Sequence, residues 1–119
     1  MKLTGKCKTD FEKWYLGKYY FTGFETEDVV LNDHIFKHLD FTMQYGVYVD
    51  FFDSVGLILD VQPVLDYDEE KYTKVVYWII TVFTLGIKGE DYNDWEFKTR
   101  QEAREQAILK ANEIYNDNR

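Results

Sequence analysis

The chain has 119 residues, of which 45% are hydrophobic and 18% aromatic, and its 22 acidic residues outnumber its 14 basic ones. This length predicts one domain over residues 1–119 that buries enough surface to fold without metal or disulfide crosslinks. The apolar content excludes wholesale disorder. The net charge of −8 excludes an ordinary nucleic-acid-binding protein, because such proteins carry basic surfaces.

The compartment is predicted from the cysteine content and from the absence of long apolar runs. Cys7 is the single cysteine, so no disulfide forms within the chain, which is typical of a reducing cytosol. The sequence has no apolar run of about 18 residues that would span a membrane. Its first residues also lack the apolar segment of a secretion signal. We therefore expect a soluble cytoplasmic protein.

The first predicted helix begins at Thr9, whose hydroxyl can cap it, and ends near Tyr20. Asp10 then lies in the first turn, where the helix dipole favours a negative charge. Residues 21–40 have no clean hydrophobic period, so mostly loop is expected there, with a short turn around 35–39.

A second helix is predicted over about 43–55, with Thr42 as its cap and Gly56 as its terminating glycine. The alternative is a strand, because several of these residues have high β propensity. A helix places Asp50 and Asp53 on a polar face opposite an apolar one, whereas strict alternation does not explain their positions. We therefore favour the helix.

Three strands are predicted after Gly56. The period changes to two over 57–65, and Pro63, which has no N–H to donate, favours an edge position for this strand. Residues 72–84 are apolar on both faces, as in a central strand, and Trp95 and Phe97 mark the third strand. The short connections predict an antiparallel meander.

The last predicted helix begins with a capping box formed by Thr99 and Glu102. Ala103, Ala107 and Ala111 form a stripe of small residues that lets this helix lie close to a sheet. The element order is α-α-β-β-β-α, which predicts an α+β two-layer sandwich with a three-stranded antiparallel sheet packed by helices. We expect the second and last helices to cover one face, and the first helix or a partner to cover part of the other.

Acidic residues are concentrated between positions 25 and 70, where twelve of them accompany one lysine. The simplest explanation is solubility. The alternative is a docking surface for a basic partner, which would increase the rate and selectivity of association. If the first strand packs beside the second helix, the acids merge into one ridge. Its predicted residues are Asp50, Asp53, Asp60, Asp66, Asp68, Glu69 and Glu70.

The sequence contains no P-loop, GxGxxG, GxSxG or CxxC motif. His34 and His38 have the spacing of helical zinc ligands, but no third ligand is identifiable. Nothing places a catalytic base near Cys7. Asp50 and Asp53 have a spacing that suits Mg²⁺ or acid–base chemistry, but it is equally common on solvated helix faces. We predict a protein that is not an enzyme and holds neither metal nor cofactor.

Three parts of the chain resemble small uncharacterised proteins encoded by bacteriophages and prophages, especially of Bacteroides-type bacteria. The most specific is 43–56 (MQYGVYVDFFDSVG), and the opening 5–15 (GKCKTDFEKWY) is also similar. The third is the final helix, at 99–104 (TRQEAR) and 110–115 (KANEIY). These proteins have no established activity. The resemblance therefore implies a phage accessory role and assigns no functional residue.

Two functions are expected from these observations. The first is an inhibitor or modulator of a host protein, anti-defence or anti-CRISPR-like, that acts as a monomer or weak homodimer. Its acidic surface would dock on a basic, nucleic-acid-handling protein, such as a nuclease, without contacting nucleic acid or membrane. The alternative is a protein that binds or sequesters a nucleotide signal. That function requires a cationic pocket, for which the candidates are Lys71, Lys74, Lys98, Arg100 and Arg104.

Overall fold

The computed structural model describes residues 3–19, 34–86 and 91–118. Its elements are α1 (Gly5–Tyr19), α2 (His34–His38), α3 (Phe41–Ser54), β1 (Leu57–Asp68), β2 (Lys71–Thr84), β3 (Tyr92–Phe97) and α4 (Arg100–Asn118). The predicted α+β order is confirmed, with the five-residue α2 where a short turn was expected. The part of the predicted loop before residue 34 lies outside the described residues.

The strands form one antiparallel sheet in the order β1-β2-β3, as predicted, and β1 lies at an edge. β1 pairs with β2 from Leu57 opposite Thr84 to Asp68 opposite Lys71, with two register shifts. β3 pairs with β2 only over 78–82. The sheet is therefore three strands wide at one end and continues as a two-stranded hairpin at the other.

One face of the sheet is covered by α3 and α4, as expected. The inward-facing strand residues are buried: Leu57, Leu59, Trp78, Ile80 and Val82. Opposite them, Ala103, Ala107 and Ala111 have no exposed surface. Small side chains bring the α4 backbone close to the sheet, which explains why a helix with so little apolar volume is so well buried.

The opposite face of the sheet remains partly open in the described part of the chain. α1 packs against α3 and α4, and so adds to the helical layer instead of covering this face. Ile58 and Ile79 are half-buried, and Phe83 and Trp95 are exposed. The expectation that α1 covers part of this face is therefore not met, and its coverage by a partner stays a prediction.

The start of α1 is fixed by residues from the other end of the chain. Asn112 accepts a hydrogen bond from the backbone N–H of Thr4 at 2.9 Å, and Asn116 accepts one from the N–H of Cys7 at 2.8 Å. These side chains satisfy N–H groups that have no partner within the helix. The predicted start at Thr9 is wrong because the real cap is supplied by α4.

The limits of α3 differ from the prediction at one end only. The N-cap is Asp40, whose carboxylate accepts a hydrogen bond from the N–H of Met43 at 3.0 Å, so the predicted cap, Thr42, is wrong. Gly56 follows the helix with a φ of 84°, a conformation that glycine adopts without strain, and ends it as predicted. The helix assignment is confirmed, and the strand alternative is wrong.

Aromatic rings join the three longer helices. Phe51 of α3 is 1% exposed, and its ring centroid lies 5.4 Å from that of Phe11 and 5.9 Å from that of Tyr115. The rings of Trp14 and Phe52 lie within 5.6 Å of it. Such tilted and edge-on ring pairs add to the free energy gained by burial.

A polar contact also joins α1 to α4. The hydroxyl of Tyr115 donates a hydrogen bond to the carboxylate of Asp10, which also forms an ion pair with Lys6 at 3.0 Å. Burial raises the pKa of Asp10, but the hydrogen bond from Tyr115 and the charge of Lys6 outweigh it and hold that pKa below its usual value. The contact therefore stabilises the fold most when Asp10 is ionised.

Replacing Tyr115 with Phe is expected to lower the free energy of unfolding by about 1 kcal/mol at neutral pH. Because the pKa of Asp10 is lowered in the fold, this contribution is complete above the unfolded value of about 3.9 and declines as the pH falls through the folded value. Urea unfolding of both proteins at neutral and acidic pH measures the difference. The same destabilisation at both pH values would contradict the role of the carboxylate. Tyr72→Phe, at an exposed hydroxyl, is the control.

Candidate binding surfaces

The far end of the β1–β2 hairpin, residues 65–76, is called the arm below. Every residue of the arm is exposed. The molecule measures 58 × 35 × 20 Å and has a radius of gyration of 16.3 Å, against about 13.5 Å for a compact chain of this length. The arm therefore projects from the domain and contributes nothing to its core.

The arm carries large apolar side chains despite its exposure. These are Leu65, Tyr67, Tyr72, Val75 and Val76, which are between 38% and 70% exposed. The rings of Tyr67 and Tyr72 meet edge-on across the two strands, 5.3 Å apart. A grouped set of exposed apolar residues on a projection is typical of an interaction surface, whereas single ones are ordinary.

The tip of the arm is acidic and conformationally unfavourable. Glu69 and Glu70 form the turn with φ values of 47° and 66°, a left-handed conformation that asparagine and glycine adopt far more easily. Asp68 and Asp66 precede them, opposite Lys71 and Lys74 on β2. The glutamates therefore occupy turn positions at which asparagine or glycine would make the fold more stable.

The seven acids predicted to form one ridge lie in two groups. Asp66, Asp68, Glu69 and Glu70 are on the arm, whereas Asp50 and Asp53 are on α3 and Asp60 is near the start of β1. α3 does pack beside β1, as the ridge required. However, eight residues of strand separate Asp60 from Asp68, or roughly 26 Å at about 3.3 Å per residue. The structure therefore places the acids of each group near one another but keeps the two groups apart.

The group on α3 is partly neutralised by its surroundings. Asp50 forms an ion pair with Lys18 of α1 at 3.6 Å, and both side chains are about half exposed. Burial, with a smaller contribution from the charge of Asp50, raises the pKa of Asp53. Two adjacent carboxylates and one lysine on an exposed helix face are typical of a solvated surface.

A cavity of about 320 Å³ lies where the arm joins the domain. Its wall includes Tyr45 of α3, Val61 and Pro63 of β1, Trp78 of β2, and Arg100 and Arg104 of α4. The Arg100 guanidinium lies 4.5 Å from the centre of the Trp78 ring, and that of Arg104 lies 5.0 Å from the centre of the Tyr45 ring. Asp60 also lines the cavity.

The cavity contains two of the five predicted cationic candidates. Arg100 and Arg104 line it together, because residues four apart share one face of a helix. Lys71 and Lys74 are on the arm, and Lys98 is exposed before α4. The contribution of Trp78 was not predicted from the sequence, since a tryptophan in a central strand indicates core packing.

Residues that could act as metal ligands are not clustered in the described ranges, and Cys7 is buried. Burial, with a smaller effect of Asp10, raises the pKa of Cys7 to about 12, which keeps the thiol protonated and unreactive. Asp40 caps α3, and His38 is exposed. No group of three or more His, Cys, Asp or Glu residues suited to a metal ion occurs in residues 3–19, 34–86 and 91–118. Of the helices described, none has both the length and the apolar character of a membrane span.

Searches against protein-family models, curated proteins and solved structures give no match to this chain. The arm and the cavity at its base are surfaces of the molecule that can bind a partner or a ligand.

Proposed function

We propose that this chain is a non-catalytic binding protein that docks on a basic protein partner through its arm. The observation that carries this proposal is that residues 65–76 are exposed without exception and yet present five large apolar side chains. Apolar surface exposed to water is energetically unfavourable. A two-stranded hairpin is also only marginally stable alone. A partner that covers the arm removes this cost.

The acidic and the aromatic residues of the arm have different roles in docking. The acids at the tip attract a basic surface over a long range and raise the association rate. Tyr67 and Tyr72 then supply rigid contact area of the kind that anchors protein interfaces. The retention of Glu69 and Glu70 at a turn that disfavours them supports a role for their charge outside the fold.

The resemblance to phage proteins suggests the class of partner. We propose a host nuclease or another nucleic-acid-handling protein, whose channel is basic, and a role as its inhibitor or modulator in the bacterial cytoplasm. The chain would then contact the protein partner and not nucleic acid.

The test compares three versions of the full chain as baits in host lysate: the natural chain, a tip variant and a base variant. The tip variant has Asp66→Asn, Asp68→Asn, Glu69→Gln and Glu70→Gln. The control, called the base variant, has Asp50→Asn and Asp53→Asn on α3, outside the arm and the cavity. Basic proteins should be captured by the natural chain and the base variant at about 50 mM salt, and released at about 300 mM.

The tip variant should lose those same proteins. Equal capture by the tip variant, or capture that does not depend on salt, would contradict docking through the arm. If the base variant fails to capture these proteins and the tip variant captures them, the docking surface lies on α3 and not on the arm. Purified partner and bait, mixed at low salt, then give the association rate, which should fall severalfold or more in the tip variant.

A second candidate function, binding of a small anionic ligand, is favoured by the pair of arginines that lines the cavity at the base of the arm.

A further inference from the structure

The two arginines of the cavity are held in place but not neutralised. Among the residues described, neither Arg100 nor Arg104 has a carboxylate within 4.0 Å, although the chain has 22 acidic residues. Each guanidinium lies over an aromatic ring. A guanidinium held against a ring keeps the N–H donors that do not face the ring available to a ligand, and its fixed position lowers the entropy lost on binding.

A phosphate group matches this arrangement better than a carboxylate does. Two guanidiniums one helical turn apart offer two positive charges and more donors than the two oxygens of one carboxylate can accept. A phosphate monoester carries close to two negative charges at neutral pH and has three terminal oxygens. Arg100 is the first residue of α4 and Arg104 lies one turn further along, so the positive end of the helix dipole adds to the positive charge of the site.

The rest of the cavity indicates what the phosphate is attached to. Val61 and Pro63 supply apolar wall beside the arginines. Asp60 also lines the cavity, more than 4.0 Å from either guanidinium, and its carboxylate can accept hydrogen bonds from hydroxyl or amino groups. Inorganic phosphate leaves this acceptor unused, whereas a nucleoside provides a flat ring and several donors.

From this geometry we infer that the cavity binds a nucleoside monophosphate, with its phosphate on Arg100 and Arg104 and a hydroxyl or amino group on Asp60. The volume of about 320 Å³ is at the lower end for small-molecule sites and is sufficient for a mononucleotide. This inference rests on the second candidate function. It is independent of docking through the arm.

The first experiment is a titration of the full chain, followed by NMR of the arginine Nε–H and tryptophan indole signals. Adenosine and guanosine monophosphates should shift the signals of Arg100, Arg104 and Trp78 in a saturable way at concentrations up to about 10 mM. Inorganic phosphate should shift the arginine signals more weakly, and adenosine should shift none of them. No saturable shift with either monophosphate, or an equal shift with adenosine or with glutarate, would overturn the inference.

The second experiment compares variants at the start and in the middle of α4. Arg100→Gln and Arg104→Gln should each weaken binding of the monophosphate about tenfold or more, because each removes hydrogen bonds to a charged group. Lys110→Gln makes the same charge change at a residue that contacts Glu113 and Tyr92, and should bind within about twofold of the natural chain. Equal loss in all three would indicate a general charge effect and reject the site.

The fold and the arm are monitored in the same series. Far-ultraviolet circular dichroism reports whether a variant is folded, and the titration of the natural chain stands whatever the variants do. The tip variant of the arm should keep the affinity for the monophosphate. Loss of monophosphate binding in the tip variant would contradict the placement of the site at the base of the arm.

Discussion

Replacing Phe51 with alanine is expected to lower the free energy of unfolding by about 3–5 kcal/mol, the largest effect of any single substitution considered for this chain. The side chain is 1% exposed and contacts rings from α1, α3 and α4. Its removal therefore opens a cavity at the point where the three helices meet. Domains of this size are stable by about 5–15 kcal/mol, so the variant loses a large share of its stability.

Urea unfolding followed by tryptophan fluorescence measures this loss, because Trp14 lies beside the Phe51 ring. Phe83→Ala is the matched control. It makes the same chemical change at a ring that is 37% exposed on the open face of the sheet, and should destabilise the fold by less than about 1.5 kcal/mol. Equal losses at both positions would mean that the open face is covered in solution.

The element types could be predicted from the sequence because they depend on local patterns. The period of two after Gly56 and the capping box at Thr99 each predicted the correct element, and Thr99 accepts the expected hydrogen bond from the N–H of Glu102 at 3.0 Å. The start of α1 could not be predicted in this way. Its caps are Asn112 and Asn116, more than one hundred residues away, and no local pattern contains that information.

The extent of the arm depends on pairing between strands. Asp66 and Asp68 favour a turn by their own propensity, and the sequence therefore predicts that the first strand ends at Leu65. In the structure the strand continues to Asp68, because its backbone pairing with β2 extends as far as Lys71, the residue opposite Asp68. These added residues carry the tip away from the domain and separate the two acidic groups that the sequence places in one ridge.

The sequence predicts the arginines of the cavity but not its aromatic residues, for a related reason. The spacing of Arg100 and Arg104 places them on one helix face, which the sequence alone indicates. The aromatic rings beneath them come from α3 and β2, and the packing of a helix on a sheet decides which rings those are. Consequently Trp78, assigned to the core, is 8% exposed but also forms the floor under a guanidinium.

Deleting the arm is expected to abolish capture of the partner and to leave the domain folded. Residues 65–76 are replaced by Asn-Gly, which joins Val64 to Tyr77, two residues that face each other across β1 and β2. A two-residue Asn-Gly loop is the most favourable connection between paired strands. Every residue removed is exposed, so the shortened chain loses almost no buried surface.

The shortened protein should unfold cooperatively, at a midpoint within a few degrees of the natural chain, since roughly 1 kcal/mol corresponds to several degrees in a domain of this size. Its radius of gyration, measured by small-angle scattering, should fall from 16.3 Å towards the value of about 13 Å for a compact domain. A chain that no longer unfolds cooperatively would show that the arm supports the domain. A folded, shortened chain that still captures the partner would place docking elsewhere. The open sheet face around Phe83 and Trp95 is then the surface to test, because both aromatic residues are exposed outside the arm.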